Sequence, residues 1–209
     1  MFIFATYLQI IIKIMEKNID EQMSLNIIVE AIENAKSRLK DNGFFYLLWG
    51  WLVLSASLLE YGLLKFSDTQ YHWVGWPVLM TIGGIVSAIY GYRLGKKATV
   101  KTHLDTAMIY LWNGFLISIL IVLIVGAITH LSWQVINPLV IVFYALGTFV
   151  SGGILKFKPL IIGGILAWVI AIIAFLIHSE IQLLLMAAAI VVSYLVPGYM
   201  LKNRNSNHV

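Results

Sequence analysis

The sequence has no cysteine and very little charge, and each absence limits what the protein can be. Without cysteine the chain has no disulfide, no thiolate ligand for a metal and no cysteine nucleophile. Of its 209 residues only 11% are charged and 60% are hydrophobic, whereas a soluble domain has about 25% charged residues. With a mean hydropathy of +0.89, the composition is typical of a membrane protein.

The longest run without Asp, Glu, Lys or Arg covers the 50 residues between Asp105 and Lys156. A helix of about 20 residues crosses a hydrocarbon core about 30 Å thick, so this run is long enough for two crossings. The run is apolar on all sides rather than in alternation, which disfavours a transmembrane β-barrel. We therefore predict an all-α fold, a polytopic membrane bundle of six transmembrane helices, at residues 43–64, 74–95, 106–128, 134–155, 159–177 and 180–201.

Two segments precede this transmembrane domain of residues 43–201, and a tail of residues 202–209 follows it. Residues 1–14 contain an apolar run that is too short to span a membrane. We interpret them as a start-site extension, with a surface-lying anchor as the alternative. For residues 15–42 we predict a cytoplasmic amphipathic helix, which lies on the membrane surface or packs against the bundle. The prediction rests on apolar residues that recur every four positions, at Met23, Ile27, Ala31, Ala35 and Leu39.

The basic residues lie at the ends of alternate predicted spans. Thirteen of the 14 Lys and Arg fall on one side, and only Lys65 falls on the other. Because positive residues are retained in the cytoplasm, we expect a bacterial cytoplasmic (inner) membrane protein with both termini inside. Despite the pI near 9.2, positions at span ends indicate contact with lipid phosphates rather than nucleic acid. The thirteen are Lys13, Lys17, Lys36, Arg38, Lys40, Arg93, Lys96, Lys97, Lys101, Lys156, Lys158, Lys202 and Arg204.

Short motifs recur along the predicted spans at nearly constant intervals. The motif at residues 48–50, Leu-Trp-Gly, returns 63 residues later at residues 111–114 as Leu-Trp-Asn-Gly. The motif Trp-Pro-Val at residues 76–78 is followed 61 residues later by Asn-Pro-Leu at residues 137–139. The pattern favours tandem helical hairpins in a 2+2+2 arrangement. The alternative is that Trp and Pro recur at membrane interfaces in any protein.

The last predicted span ends in Val-Pro-Gly-Tyr-Met-Leu-Lys, residues 196–202. With this tail and its six spans, the chain resembles a family of six-span bacterial inner-membrane proteins with no assigned function. In its number of hairpins it is also similar to small hairpin-repeat proteins related to the acid-resistance membrane proteins. These resemblances imply a helical bundle in a bacterial inner membrane, and no functional residue is carried over from them.

Small residues recur every four positions in the second and fifth predicted spans. Lipid tails are as apolar as leucine, so helices in a membrane associate through close backbone packing and polar contacts. We expect these residues to pack helices within the chain. The alternatives are contacts between copies in a homo-oligomer and a substrate path lined by exposed backbone. The residues are Gly83, Ser87, Gly91 and Gly95 in the second span and Gly163 and Ala167 in the fifth.

Glu60 is the leading candidate for chemistry, because it lies about one turn inside the first predicted span. A carboxylate in lipid is usually paired or functional, although near the interface it also reaches water. His72 is expected to approach it from the following loop. Asn113, in the third span, is expected to hydrogen-bond between helices, with ligand contact as the alternative.

Three residues are expected to mark helix ends. Asn137 is interpreted as a helix-start residue, and Pro159 fits the first turn of the fifth span, where its missing N–H costs nothing. Pro197 is expected to loosen or end the sixth helix before Lys202.

Three histidines and two further carboxylates share the predicted outer face with Glu60. Their spacing fits no metal-binding motif, so we expect ordinary interfacial polarity, without a metal or other cofactor. Metal binding and the sensing of external pH are the alternatives. The residues are His72, His130, His178, Asp68 and Glu180.

The sequence contains no P-loop, no dinucleotide-binding glycine fingerprint, no nucleophile elbow and no metalloprotease helix. We therefore expect a non-enzymatic accessory or scaffold. Its expected partners are the lipid bilayer, further copies of the chain and a cytoplasmic protein bound through residues 16–41. The alternative is a small-solute or proton-linked transporter or channel with Glu60 near the outer mouth, and an enzyme acting on lipid ranks third.

The predicted orientation can be tested with single cysteines, because the chain has none of its own. Cysteine at Thr69 or His130 is expected to react with a membrane-impermeant maleimide on intact cells, because both positions fall in predicted outer loops. Cysteine at Lys97 should react only after the cells are opened. The reverse pattern of labelling would show that the orientation is inverted.

Overall fold

The computed structural model describes residues 43–67, 69–97, 103–177 and 180–203, and these residues form helices joined by short turns. Six helical stretches are long and apolar enough to cross a membrane, which confirms the six predicted helices. The predicted segments 1–14 and 15–42 lie outside the described residues. The elements are α1 (Gly43–Phe66), a 3-10 turn (His72–Val74), α2 (Gly75–Lys97), α3 (His103–Thr129), α4 (Trp133–Ile154), α5 (Lys158–Leu176), α6 (Ile181–Ile190), a π-helical turn (Val191–Leu195) and α7 (Val196–Asn203).

The start of α4 corrects one prediction and the start of α5 confirms another. The hydroxyl of Ser132 accepts a hydrogen bond from the Gln134 N–H at 3.2 Å, so Ser132 is the N-cap of α4. Asn137 lies inside the helix, and its interpretation as a helix-start residue was therefore wrong. The Ser132 hydroxyl satisfies a free backbone N–H in the first turn of α4, about one turn before the position of Asn137. Pro159 lies in the first turn of α5, as predicted.

Two helices end in a residue with left-handed backbone conformation. His130 has a φ of 52° and follows α3, and Lys156 has a φ of 50° and follows α4. After His130, the Leu131 N–H donates to the Gly126 carbonyl at 3.0 Å, which closes the last turn of α3. Glycine usually occupies this position, because a side chain there costs roughly 1 kcal/mol. The backbone of His130 therefore shapes the turn between α3 and α4.

The core of the bundle is the contact between α4, α5 and the stretch Ile181–Asn203, which we call the sixth span. α5 approaches its neighbours at two adjacent glycines. A Cβ added at Gly163 would lie 2.6 Å from the Val192 carbonyl oxygen, and one added at Gly164 would lie 2.9 Å from the Ala145 carbonyl oxygen. Neither position has room for a side chain, because the neighbouring atoms belong to backbone.

The sixth span changes its helical winding just before a proline. Pro197 has no N–H, so it cannot donate to the Ser193 carbonyl as another residue would. In the five residues of the π-helical turn, the Val196 N–H instead donates to Val191, five residues earlier. Pro197 therefore loosens the helix as predicted but does not end it, and α7 continues to Asn203.

α2 and α3 lie at the edge of the bundle. In the most apolar stretch of each, 6% of the residues are buried, against 56% in α4 and 61% in the sixth span. α2 packs on α1, where the indole N–H of Trp49 donates to the Ser87 hydroxyl at 3.1 Å. The side chain of Leu52 covers Gly83. Further along α2, no described atom lies within 4 Å of a Cβ added at Gly84, Gly91 or Gly95.

Alanine substitutions at two glycines test the importance of close backbone packing. Gly163→Ala should destabilise the protein by about 1–3 kcal/mol, because the new methyl group meets the Val192 carbonyl. Gly91→Ala should leave the melting temperature unchanged or slightly higher, because no described atom lies within 4 Å of the new methyl group. Thermal unfolding in detergent, followed by circular dichroism, measures both. Equal melting temperatures for the two variants would contradict this account of the core.

Candidate functional site

Three polar side chains meet where α1 joins α2, and we call them the Glu60 cluster. Glu60 lies in the last turns of α1, His72 in the 3-10 turn and Trp76 in the first turn of α2. Nδ1 of His72 lies 2.9 Å from Glu60 Oε1. The indole N–H of Trp76 donates to Glu60 Oε2 at 2.6 Å. Both carboxylate oxygens therefore have a partner.

The spacing of the sequence explains how the Glu60 cluster forms. His72 and Trp76 are four residues apart, so both side chains project to the same side of the chain as it turns into α2. That side faces the end of α1, where Glu60 lies. The structure thus brings Glu60 and His72 together, as expected from the loop between them. In the sequence Trp76 was considered only as part of the Trp-Pro-Val motif at residues 76–78, although its spacing from His72 was the signal for this contact.

The Glu60 cluster is covered but still reaches the surface. The side chain of Glu60 is 15% exposed and that of His72 is 32% exposed. Hydrogen bonds from an indole and an imidazole stabilise a carboxylate that has lost part of its water. His72 pairs with Glu60 as an ion pair when its ring is protonated and as a hydrogen bond when its Nδ1 alone carries the proton. The cluster is therefore a partly covered carboxylate held by two hydrogen-bond partners near the surface.

Of the other residues predicted for this face, the two that the structure describes make no hydrogen bond with the Glu60 cluster. His130 is exposed in the turn after α3, and Glu180 is exposed at the start of α6. His178 and Asp68 lie outside the described residues. In the part of the chain that the structure describes, no three His, Asp or Glu side chains are placed to hold a metal ion.

Asn113 lies on an exposed side of α3. Its amide nitrogen donates to the Ile109 carbonyl of the same helix at 2.8 Å. Among the described residues it makes no hydrogen bond to another helix. The predicted link between helices is therefore not formed within the described part of one chain.

Gln182, which the sequence reasoning missed, joins three helices. Its side chain is 1% exposed, and its amide nitrogen lies 2.9 Å from the Gln134 carbonyl, 3.0 Å from that of Ala174 and 2.8 Å from that of Ile177. The Gln134 carbonyl needs a donor because Pro138, four residues later, has no N–H. Ile177 caps the end of α5, where carbonyls lack helical partners. The Ala174 carbonyl also accepts from the Ile177 N–H at 3.3 Å. A glutamine in the apolar sixth span was the signal for this role.

Three buried tyrosines form an aromatic cluster between α1, α4 and the sixth span. The ring of Tyr194 lies 5.4 Å from that of Tyr46 and 5.5 Å from that of Tyr144, measured between centroids. Ser151 interacts with the Tyr46 hydroxyl and Thr148 with the Tyr194 hydroxyl. Neither contact has the geometry of a full hydrogen bond, so both buried hydroxyls lack a partner among the described residues. A distorted contact satisfies a buried hydroxyl poorly.

Removal of one hydrogen bond tests the Glu60 cluster. Trp76→Phe keeps an aromatic ring but removes the donor to Glu60, which should cost about 1 kcal/mol. Amide hydrogens at the start of α2 should then exchange about fivefold faster, as measured by hydrogen–deuterium exchange with mass spectrometry. Trp73→Phe is the matched control, because Trp73 is 52% exposed. Equal exchange in the two variants would show that the bond contributes nothing to holding α1 and α2 together.

Comparisons with known proteins assign no function to the chain. No protein-family model, curated protein or solved structure matches the chain. The function must therefore be argued from the Glu60 cluster, the packing of the helices and the distribution of charge along the sequence.

Proposed function

We propose that the chain is a multi-pass protein of a bacterial cytoplasmic membrane that acts as a non-enzymatic accessory or scaffold for other membrane components. Six long apolar helices support its insertion into the membrane. The position of 13 of the 14 basic residues on one side supports an orientation with both termini in the cytoplasm.

The observation that carries the scaffold proposal is the contrast between a closely packed core and two exposed helices. α4, α5 and the sixth span meet with backbone close to backbone at Gly163 and Gly164. α2 and α3 each contact the rest of the bundle along one side and offer the remainder to lipid or to other helices. A protein whose role is to hold partners in a membrane needs such a rigid centre and free helical surface.

Buried hydroxyl groups also favour a structural role over a polar pathway. Those of Ser57, Thr148, Ser151 and Ser193 each donate to the carbonyl four residues earlier in the same helix, at 2.6 to 2.9 Å. Hydroxyl hydrogens used in this way cannot donate to a passing solute. Residues 16–41, outside the described part, remain our candidate for contact with a cytoplasmic protein.

The Glu60 cluster favours a second candidate function, proton-linked transport. A carboxylate that is largely covered and paired with a histidine is the kind of group that proton-coupled membrane proteins use. In the proposed orientation the cluster lies toward the outer face. The cluster would then exchange protons with the outside through the exposed part of His72.

A flux measurement and a partner measurement separate the two functions. The scaffold proposal predicts no proton flux into proteoliposomes under a pH gradient, and loss of co-purifying proteins from membranes when residues 16–41 are deleted. Transport predicts a flux that falls at least tenfold in Glu60→Gln. Glu180→Gln is the control, because Glu180 is exposed and lies outside the cluster. A flux lost in Glu60→Gln but kept in Glu180→Gln would overturn the scaffold proposal.

A further inference from the structure

The side of α3 that faces away from α4 carries an ordered set of exposed residues, which we call the α3 seam. It consists of Tyr110, Asn113, Ile117, Leu120 and Ile124. The four apolar members are 75%, 57%, 47% and 57% exposed in chain order, and Asn113 is exposed as well. Spacings of three and four residues place all five on one face of the helix.

The opposite face of α3 is the one that contacts α4. Gly126 of α3 is covered by the Ile136 side chain of α4, and Phe115 packs on Tyr144 with ring centroids 5.2 Å apart. Phe115 and Gly126 are eleven residues apart, which is three helical turns, so both point in one direction. The α3 seam is therefore turned away from the described bundle.

The order of residues in the α3 seam is that of a paired helix. Tyr110, Ile117 and Ile124 are seven residues apart, and Asn113 and Leu120 follow the first two by three residues. In this heptad isoleucine occupies two of the three first core positions and leucine one of the two second positions, the others being Tyr110 and Asn113. Isoleucine at the first position with leucine at the second favours parallel pairs of helices. The pattern alone would also suit a helix that only contacts lipid.

Asn113 is the polar residue of the α3 seam, and part of its amide has no hydrogen-bond partner among the described residues. It lies four residues, about 6 Å along the helix axis, from Ile117 at the middle of the predicted span. One amide hydrogen bonds to Ile109, which leaves a second hydrogen and the side-chain oxygen without a partner among the described residues. An amide exposed to hydrocarbon at that depth is unfavourable, and a hydrogen bond to a neighbouring helix relieves the cost.

The chemistry of an amide identifies a suitable occupant. Each asparagine has both a donor and an acceptor, so two copies of Asn113 related by a two-fold axis satisfy each other. Two copies with the same membrane orientation also present α3 in parallel, as the heptad pattern requires. Gly114, with nothing described within 4 Å of an added Cβ, allows the two backbones to come close.

We propose that a second copy of this chain docks on the α3 seam, with Asn113 paired to Asn113 across the two-fold axis. The dimer rests on the proposed membrane insertion but not on the choice between scaffold and transporter. In this dimer the interface lies on α3 and not on Gly84, Gly91 and Gly95 of α2.

Cysteine cross-linking tests the position of the interface. Leu120 and Val125 are both 47% exposed, but five residues of helix turn their side chains to nearly opposite directions. The full chain with Leu120→Cys, in vesicles of phosphatidylethanolamine and phosphatidylglycerol, should form a disulfide-linked dimer on oxidation. The chain with Val125→Cys should remain monomeric. Absence of a Leu120→Cys dimer from protein that floats with the vesicles would overturn the dimer, whereas protein that does not float would overturn membrane insertion.

The role of Asn113 is tested by the affinity of the dimer. Asn113→Leu should weaken dimerisation about fivefold, measured by energy transfer between labelled copies as lipid is added. Asn113→Gln, which keeps the amide, should retain most of the affinity. Both variants should fold, because the side chain lies outside the described core. Unchanged dimerisation in Asn113→Leu, or its loss in Gly91→Ile on α2, would refute the proposed interface.

Discussion

The close approach of backbones around α5 is the constraint on which the rest of the bundle depends. In lipid, helices gain no hydrophobic energy from meeting one another, so stability must come from packing and from hydrogen bonds. A Cβ at Gly163 would collide with the carbonyl of Val192, in the π-helical turn, and a Cβ at Gly164 would collide with the backbone of α4. The changed winding before Pro197 and the contact at Gly163 therefore belong to one arrangement: the backbone shifted by the π-helical turn lies where only a glycine fits opposite it.

Much of this fold could be predicted from the sequence, because the bilayer thickness and the shortage of charge act locally along the chain. The six helices were predicted from the lengths of the apolar runs. The position of Pro159 in the first turn of α5 was predicted from its missing N–H. Contacts across the bundle were harder to foresee. Glu60 and His72 were expected to meet because one short loop joins their elements, whereas the role of Gln182 depends on where the ends of α4 and α5 lie in space. Asn137 was misjudged because Ser132 supplied a better cap, and both residues are plausible caps in sequence.

Two sets of polar groups in the described bundle differ in where they lie and in what they bond to. Gln182 and the buried serine and threonine hydroxyls bond to backbone carbonyls and so serve the fold. The Glu60 cluster and Asn113 lie at the edges, where their remaining capacity for hydrogen bonds faces water or lipid. In a protein with so little charge, polar groups at these edges are the ones available for binding, proton exchange or contact between molecules. This division separates a structural interior from a perimeter that can interact.

Gln182 has a consequence for biosynthesis. A chain made from its N-terminus delivers this residue after the other five helices have been synthesised. Its three carbonyl acceptors exist together only when α4 and α5 have already packed. Until then a glutamine enters an apolar environment without its partners, at an energetic cost. The hydrogen bonds of Gln182 therefore tie the position of the sixth span to the packing of α4 against α5, so that one amide group links the last helical span to the two before it.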